Sequence, residues 1–254
     1  MTGGRSTTDE VGRNAAERLT FFSDAVVAIA MTLLAIDLPV PEGATRAEIG
    51  TSIGHGWPEY LAFLISFLVI SVHWGGHHRL FRYLVDAPPR LVGWSTLWLF
   101  TIVVTPFAAR VLTGNSSNED HGSFPIRFGL YAGVQALAGI AFYVMVRLIE
   151  RDDLLDGTAP PEILRNGCLR AATLAGNFLV SIPLAFVLGS WAYLVWMAIP
   201  LTTALVFRVA RQRSDASGTF LASAALIGVC AGQGWFWWWL SVLPKSVTGW
   251  VRTG

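Results

Sequence analysis

Charged residues are scarce in this sequence of 254 residues: Asp, Glu, Lys and Arg make up 14% of it, whereas hydrophobic residues make up 53%. Soluble domains carry about 25% charged residues. A soluble fold of this length cannot hide so much apolar surface, because a large part of any folded chain faces water. Lipid solvates helices that are apolar all round. The composition therefore predicts an all-α membrane protein with one membrane domain, and the mean hydropathy of +0.52 agrees with this.

Cysteine, lysine and net charge are also low. The two cysteines, Cys168 and Cys230, lie in or beside apolar runs without metal-ligating neighbours, so we expect free buried thiols and no metal site there. Lys245 is the only lysine, and the net charge of +1 gives no basic field for nucleic acid. A secretory leader is not expected, because residues 1–17 are polar and lead into a long apolar run without a cleavage motif. We expect residues 1–17 to be a retained cytoplasmic segment.

Six apolar runs are long enough to cross a membrane as helices, which takes about 20 mostly apolar residues. They cover residues 19–38, 58–83, 91–112, 124–149, 169–188 and 191–209. A seventh run, 220–243, contains Gln233 and five consecutive aromatic residues. It either spans the membrane or lies in the interface, and we favour the interface because tryptophan is enriched there. We therefore divide the chain into a six-helix domain at 18–213 and a C-terminal apolar segment and tail at 214–254.

Arginine is distributed unevenly between the connections of these runs. If connections alternate across the membrane, thirteen arginines fall on the side of the N-terminus and three, Arg46, Arg110 and Arg127, fall on the other side. Cytoplasmic connections of membrane proteins are enriched in Arg and Lys. The ratio therefore predicts a multi-pass protein of the cell membrane with a cytoplasmic N-terminus.

Polar side chains inside the apolar runs require a reason, because such groups are costly in lipid. The first run carries Ser23, Asp24 and Thr32. Asp24 either stays hydrated near the membrane surface or pairs with a group on another helix, and we favour the pair. The second run offers His73, His77 and His78 as candidate partners, of which His73 and His77 share a helical face at i, i+4 spacing.

These histidines also raise the possibility of a metal-dependent membrane enzyme. A histidine metal site needs further ligands, and the remaining His55 and His121 fall in connections assigned to the opposite side. We expect a hydrogen-bonded histidine instead, and no enzyme. Because the first three runs place polar groups at the same side, one cluster can form there from Arg18, Asp24, His77 and Trp94.

The remainder of the first run is apolar with helical repetition. Ala25, Ile29, Thr32, Leu33 and Ile36 can face one axis. Spacing alone favours ordinary packing of this face against lipid or other helices.

The first run resembles a known family. Arg18, Phe22, Ser23 and Asp24 stand in the R-x-x-x-F-S-D pattern of the endosomal and lysosomal potassium channels and their bacterial homologues. Trp74 with His77-His78-Arg79, and Pro106-Phe107 in the third run, support the resemblance, which covers residues 18 to about 210. The sequence differs from the family at Thr96, where asparagine is common, and in its seventh run.

The resemblance implies a fold and a set of site residues. Bacterial members carry one six-helix repeat and assemble as tetramers, with the pore lined by the first helix. On the family pattern Ile29 forms the narrowest apolar ring, and the pore face continues with Thr32, Leu33 and Ile36. The implied structural network consists of Arg18, Phe22, Ser23, Asp24, His77 and Trp94.

We therefore expect a homotetrameric, potassium-preferring cation channel without a cofactor, whose partners are membrane lipid and the permeant potassium ion. No T-V-G-Y-G-like segment occurs, so a ring of Ile29 that gates by dewetting and the hydroxyls of Thr32 take the place of a carbonyl filter. Asp37 near the outer mouth either concentrates cations or is a solvated helix end. The alternative is a proton-coupled secondary transporter using Asp24 or His77, although such proteins usually show paired repeats and broken helices.

Overall fold

The computed structural model describes residues 3–114 and 123–215. Eight α-helices follow one another in these residues: α1 (Gly3–Ile36), α2 (Arg46–His55), α3 (Trp57–Phe81), α4 (Pro89–Thr113), α5 (Phe124–Arg151), α6 (Ile163–Leu188), α7 (Tyr193–Met197) and α8 (Ile199–Asp215). A 3-10 turn, Gly189–Ala192, lies between α6 and α7. The chain forms one compact unit, Met1–Thr203, and a second unit that begins at Ala204, within α8.

Five segments of the described chain are long and apolar enough to cross a membrane: Glu10–Ile36, Trp57–Phe81, Pro89–Thr113, Phe124–Arg151 and Ile163–Met197. They confirm the predicted all-α membrane fold and overlap the first five predicted runs. The predicted sixth run is divided between the 3-10 turn, α7 and the short apolar helix Ile199–Ala210. Gly189 adopts the left-handed φ of 56°, which ends α6. The predicted seventh run, 220–243, and Cys230 lie outside the described residues.

α1 begins at Gly3, well before the apolar run that predicted it. Its polar N-terminal part is attached to the bundle, because Ala16 is buried and Gly12 lies against the connection between α3 and α4. A Cβ at Gly12 would lie 3.0 Å from Asp86 Oδ1 and 3.2 Å from the Val85 carbonyl oxygen. The apolar run thus continues a helix that starts among polar residues.

The α3–α4 and α5–α6 connections are joined to each other by backbone hydrogen bonds. The Val85 N–H donates to the Leu154 carbonyl at 3.0 Å, and the Asp156 N–H donates to the Tyr83 carbonyl at 2.9 Å. The Thr158 hydroxyl and amide both donate to the Asp156 carboxylate, which holds the pKa of that carboxyl below its usual range. These bonds fix the ends of four helices relative to one another.

α5 packs against α4 on one side and α6 on the other. Its approach to α6 is close at Gly139, where a Cβ would lie 3.0 Å from Ala175 Cβ. Aromatic rings fill the space further along: Phe128 stacks on Trp196 with ring centroids 4.3 Å apart, and Trp196 Nε1 donates to Ser181 Oγ at 2.9 Å. These contacts hold α7 against α5 and α6.

Buried hydrogen bonds between side chains connect α5 to the other central helices. The hydroxyls of Ser66 in α3 and Tyr131 in α5 lie 3.1 Å apart, and Gln135 Nε2 donates to Thr105 Oγ1 of α4 at 3.0 Å. Helices in lipid gain stability from such bonds because the lipid offers no competing partner. The helices α3 to α6 thereby form a scaffold, and α1 packs against it through α3 and α4.

Candidate functional site

α1 is buried on one face only. Ser23, Val27, Ala30 and Leu34 are separated by four, three and four residues, and all are at most 5% exposed. This spacing corresponds to one stripe along a helix. The stripe lies against α3 and α4, which contact α1. The scaffold therefore determines which side of α1 is turned away from it.

The uncovered side of α1 carries the residues expected to line a pore. Ile29, Leu33 and Ile36 are 60%, 40% and 74% exposed, and Thr32 and Ala25 are exposed as well. Thr32 Oγ1 donates to the Ile29 carbonyl at 2.7 Å. Because the hydroxyl hydrogen is engaged there, the oxygen lone pairs remain available to an external ligand such as a cation. Ile29, Thr32, Leu33 and Ile36 thus form an apolar strip with one hydroxyl that faces away from the helix bundle. It is called the uncovered strip below.

Asp24 joins α1 to α3. Trp74 Nε1 donates to Asp24 Oδ1 at 2.8 Å, and His78 Nδ1 lies 3.4 Å from Asp24 Oδ2. Trp74 and His78 are four residues apart, so consecutive turns of α3 present both rings to the carboxylate, with centroids 5.3 Å apart. At 3.4 Å the second contact is a polar contact longer than a typical hydrogen bond.

This connection fixes the rotation of α1 about its own axis. Ile29 follows Asp24 by five residues, which corresponds to about 140° around an α-helix. With Asp24 held by α3, the side chain of Ile29 is directed away from α3, in agreement with its 60% exposure. The polar start of α1 and the uncovered strip are therefore parts of one geometrical arrangement.

The other motif residues of α1 have separate environments. Ser23 is buried, and its Oγ donates to the Leu19 carbonyl at 2.8 Å within α1. Phe22 is 60% exposed, and Arg18 is exposed as well. The ion pairs found in residues 10–114 and 123–210 do not include Arg18.

His77 and Trp94, the expected partners of the motif, lie elsewhere in the bundle. His77 is fully buried between Phe81 and Trp98, with ring centroids 3.7 Å and 4.5 Å away. Trp94 is half-buried and lines a crevice of about 400 Å³ together with Arg90 of the same helix. The structure thus brings Asp24 together with Trp74, which was not expected as its partner, and with His78, one of the three candidate histidines, rather than with His77.

A metal centre is not found in the described ranges, where no group of three or more His, Cys, Asp or Glu side chains is placed to hold a metal ion. His73 is buried near Trp98, with ring centroids 6.5 Å apart. Cys168 is a half-buried free thiol. Among the described residues, the candidate site therefore consists of the uncovered strip of α1 and the contacts of Asp24 with Trp74 and His78, which are called the Asp24 anchor below.

Asp37 follows the last residue of α1 and is paired. Arg110 Nη1 of α4 lies 3.3 Å from Asp37 Oδ1. Both side chains remain in contact with solvent, at 68% for Arg110 and 30% for Asp37. Arg110 was not expected as the partner of Asp37, because local spacing gives no information on a partner more than sixty residues away in the chain.

The chain is similar in sequence and fold to known proteins. A sequence model of the family described as endosomal/lysosomal potassium channel TMEM175 matches residues 18–106. A potassium channel of Streptomyces collinus is 30% identical over 175 residues, covering 68% of this chain and 84% of that protein. A potassium channel of Chamaesiphon minutus is 34% identical over 127 residues, covering 49% of this chain and 61% of that protein. The crystal structure of a lysosomal potassium-selective channel TMEM175 homolog from Chamaesiphon minutus has a TM-score of 0.56 and 26% identity, covering 78% of this chain and 97% of that chain.

Proposed function

Because the chain belongs to the family of the endosomal/lysosomal potassium channel TMEM175, we propose that it forms a potassium-preferring cation channel in the cell membrane. The resemblance predicted from the first apolar run is confirmed, and the family and its relatives are ion channels rather than enzymes. Relatives of this chain are named as potassium channels, which supports potassium as the permeant ion here.

The observation that carries the proposal is the uncovered face of α1. A pore-lining helix must be held firmly by its own subunit on one side and leave the opposite side free for ions. α1 meets both requirements, since Val27 and Leu34 are buried against the scaffold whereas Ile29 and Ile36 are 60% and 74% exposed. The Asp24 anchor selects this rotation among those that an apolar helix could adopt in lipid.

A single α1 cannot enclose a path, so the proposed pore is formed by several copies around an axis. Closed symmetric assemblies are common for identical subunits, and the resemblance to the family implies four copies. We propose that residues 18–213 form the conducting unit of each subunit. The arginine distribution supports an N-terminus in the cytoplasm, which places Asp37 at the outer end of the pore.

In the proposed pore Ile29 forms the constriction. Four isoleucine side chains offer no ligand to a cation, so the passage conducts when it is wet and stops when water leaves it. Thr32, one turn further along, contributes a ring of hydroxyl oxygens that can replace part of the ion's hydration shell. Leu33 and Ile36 continue the wall toward the outer end.

Recording from purified protein in planar bilayers tests the proposal. We expect unitary current steps and a reversal potential that moves toward the potassium equilibrium potential under opposed potassium and sodium gradients. A proton-coupled transporter would instead give saturable flux without unitary steps, and that result would reject the channel. The mass of the detergent-solubilised protein tests the assembly, which we expect to contain four chains.

A further inference from the structure

Three charged side chains meet where α1, α3 and α4 approach one another at the proposed outer end. Asp37, Glu59 and Arg110 line one crevice of about 40 Å³. Arg110 contacts Asp37 at 3.3 Å, and Glu59 Oε2 is buried without a hydrogen-bond partner among the described residues. The crevice has room for a few water molecules at most.

We propose that Arg110 determines the cation conductance of the outer entrance by neutralising Asp37, an inference that rests on the proposed channel function. Asp37 directly follows Ile36, the last residue of the uncovered strip of α1. An isolated carboxylate there would raise the local cation concentration. With the guanidinium at 3.3 Å, the pair acts on a passing ion as a weak dipole instead of a full negative charge.

Glu59 gives this arrangement a second carboxylate for Arg110. It lines the same crevice, and its buried Oε2 lacks a protein donor within the part of the chain that the structure covers. Arg110 is 68% exposed and extends from the end of α4, so it has the freedom to turn between the two carboxylates. In the structure Arg110 contacts Asp37, and Glu59 is a second carboxylate in the same crevice.

Arg110→Gln is the variant that tests this role. It removes one positive charge per subunit and leaves both carboxylates uncompensated. At low ionic strength we expect the unitary potassium conductance to rise by at least about two-fold, because one elementary charge some 5–8 Å from the ion path changes the local cation concentration by about two- to four-fold in a high dielectric and each subunit loses one charge. At 1 M salt the difference should disappear, because the Debye length falls to about 3 Å.

Three further variants identify the cause of the change. Arg110→Lys keeps the charge and should conduct like the unmodified protein. The double variant Asp37→Asn with Arg110→Gln removes the carboxylate as well and should lose the increase. Arg46→Gln, at an exposed position of α2 on the same proposed side of the membrane, removes the same charge outside the crevice and should have little effect.

The outcomes separate this inference from the proposed function. If the unmodified protein conducts potassium but Arg110→Gln leaves the conductance unchanged, the role of Arg110 is refuted and the channel stands. An increase that persists at 1 M salt, or that Arg46→Gln reproduces, would also refute it. If the unmodified protein carries no potassium current, the proposed function fails and the inference fails with it. Should Arg110→Gln not assemble on its own, the double variant Asp37→Asn with Arg110→Gln removes the pair without changing the net charge and should conduct like the unmodified protein at low salt, whereas a conductance well below that value would show that Asp37 was not neutralised.

Discussion

Replacing Trp74 with phenylalanine tests the anchor that sets the rotation of α1. The change removes the Nε1 donor, which lies 2.8 Å from Asp24 Oδ1, and keeps an aromatic ring in place. A hydrogen bond to a charged group contributes about 1.5–3 kcal/mol. The Asp24 side chain is 29% exposed, so water can replace part of the lost bond. We therefore expect a loss at or somewhat below the lower end of that range, about 1–2 kcal/mol.

The His78 contact changes this value little. His78 and Asp24 are 40% and 29% exposed, and ion pairs in contact with solvent contribute about 0–1 kcal/mol. In a chain of this size each kcal/mol lowers the unfolding midpoint by about 2–4 °C. We expect the Trp74→Phe midpoint, measured by circular dichroism in detergent, to fall by about 2–8 °C.

Trp57→Phe is the matched control for this prediction. Trp57 begins the same helix and is 61% exposed, so the same substitution there removes no buried contact. Equal midpoints for the two variants would refute the anchor. A second result against it would be an additive effect when Trp74→Phe is combined with Asp24→Ala, which removes the acceptor, because partners in one bond must show a coupling energy.

Two contacts of the scaffold give further predictions. Gly139→Ala should destabilise the protein by about 1–3 kcal/mol, because the added Cβ would lie 3.0 Å from Ala175 Cβ. Gly133→Ala in the same helix is the control. Its Cβ meets no atom within 4 Å, so the unfolding midpoint should stay unchanged or rise. Tyr131→Phe should cost about 0.5–1.5 kcal/mol by removing the buried contact with Ser66, and an unfolding midpoint equal to that of the unmodified protein would show that this contact contributes nothing.

The spans of the bundle were predictable because each is an apolar run closed by prolines, glycines or charges. α3, α4 and α5 begin and end within a few residues of the predicted runs at 58–83, 91–112 and 124–149. The start of α1 was not predictable in this way, since residues 3–18 are polar and hydropathy marks only the part of a helix that lies in lipid. The predicted sixth helix, 191–209, is divided between the 3-10 turn, α7 and α8, and hydropathy does not mark such breaks because the residues on both sides of them are apolar.

The site was predictable in its residues and less so in its contacts. Helical spacing placed Ile29, Leu33 and Ile36 on one face, and the structure leaves that face uncovered. The partners of Asp24 could not be derived in the same way. His77 and His78 are neighbours in sequence but point about 100° apart on a helix, so the choice between them depends on how α3 is rotated toward α1. That rotation follows from packing against α4 and α5, which local sequence does not encode.

The most direct test of the account compares the same substitution at two isoleucines. Ile29 and Ile140 are 60% and 40% exposed, and both lie within membrane-spanning helices, Ile29 on the proposed pore face of α1 and Ile140 on α5. If Ile29 forms the dewetting constriction, Ile29→Asn wets the ring and raises the unitary potassium conductance or the open probability several-fold, whereas Ile140→Asn leaves both unchanged. An Ile29→Asn current identical to that of the unmodified protein, or an equal response at Ile140, would contradict a pore lined by α1.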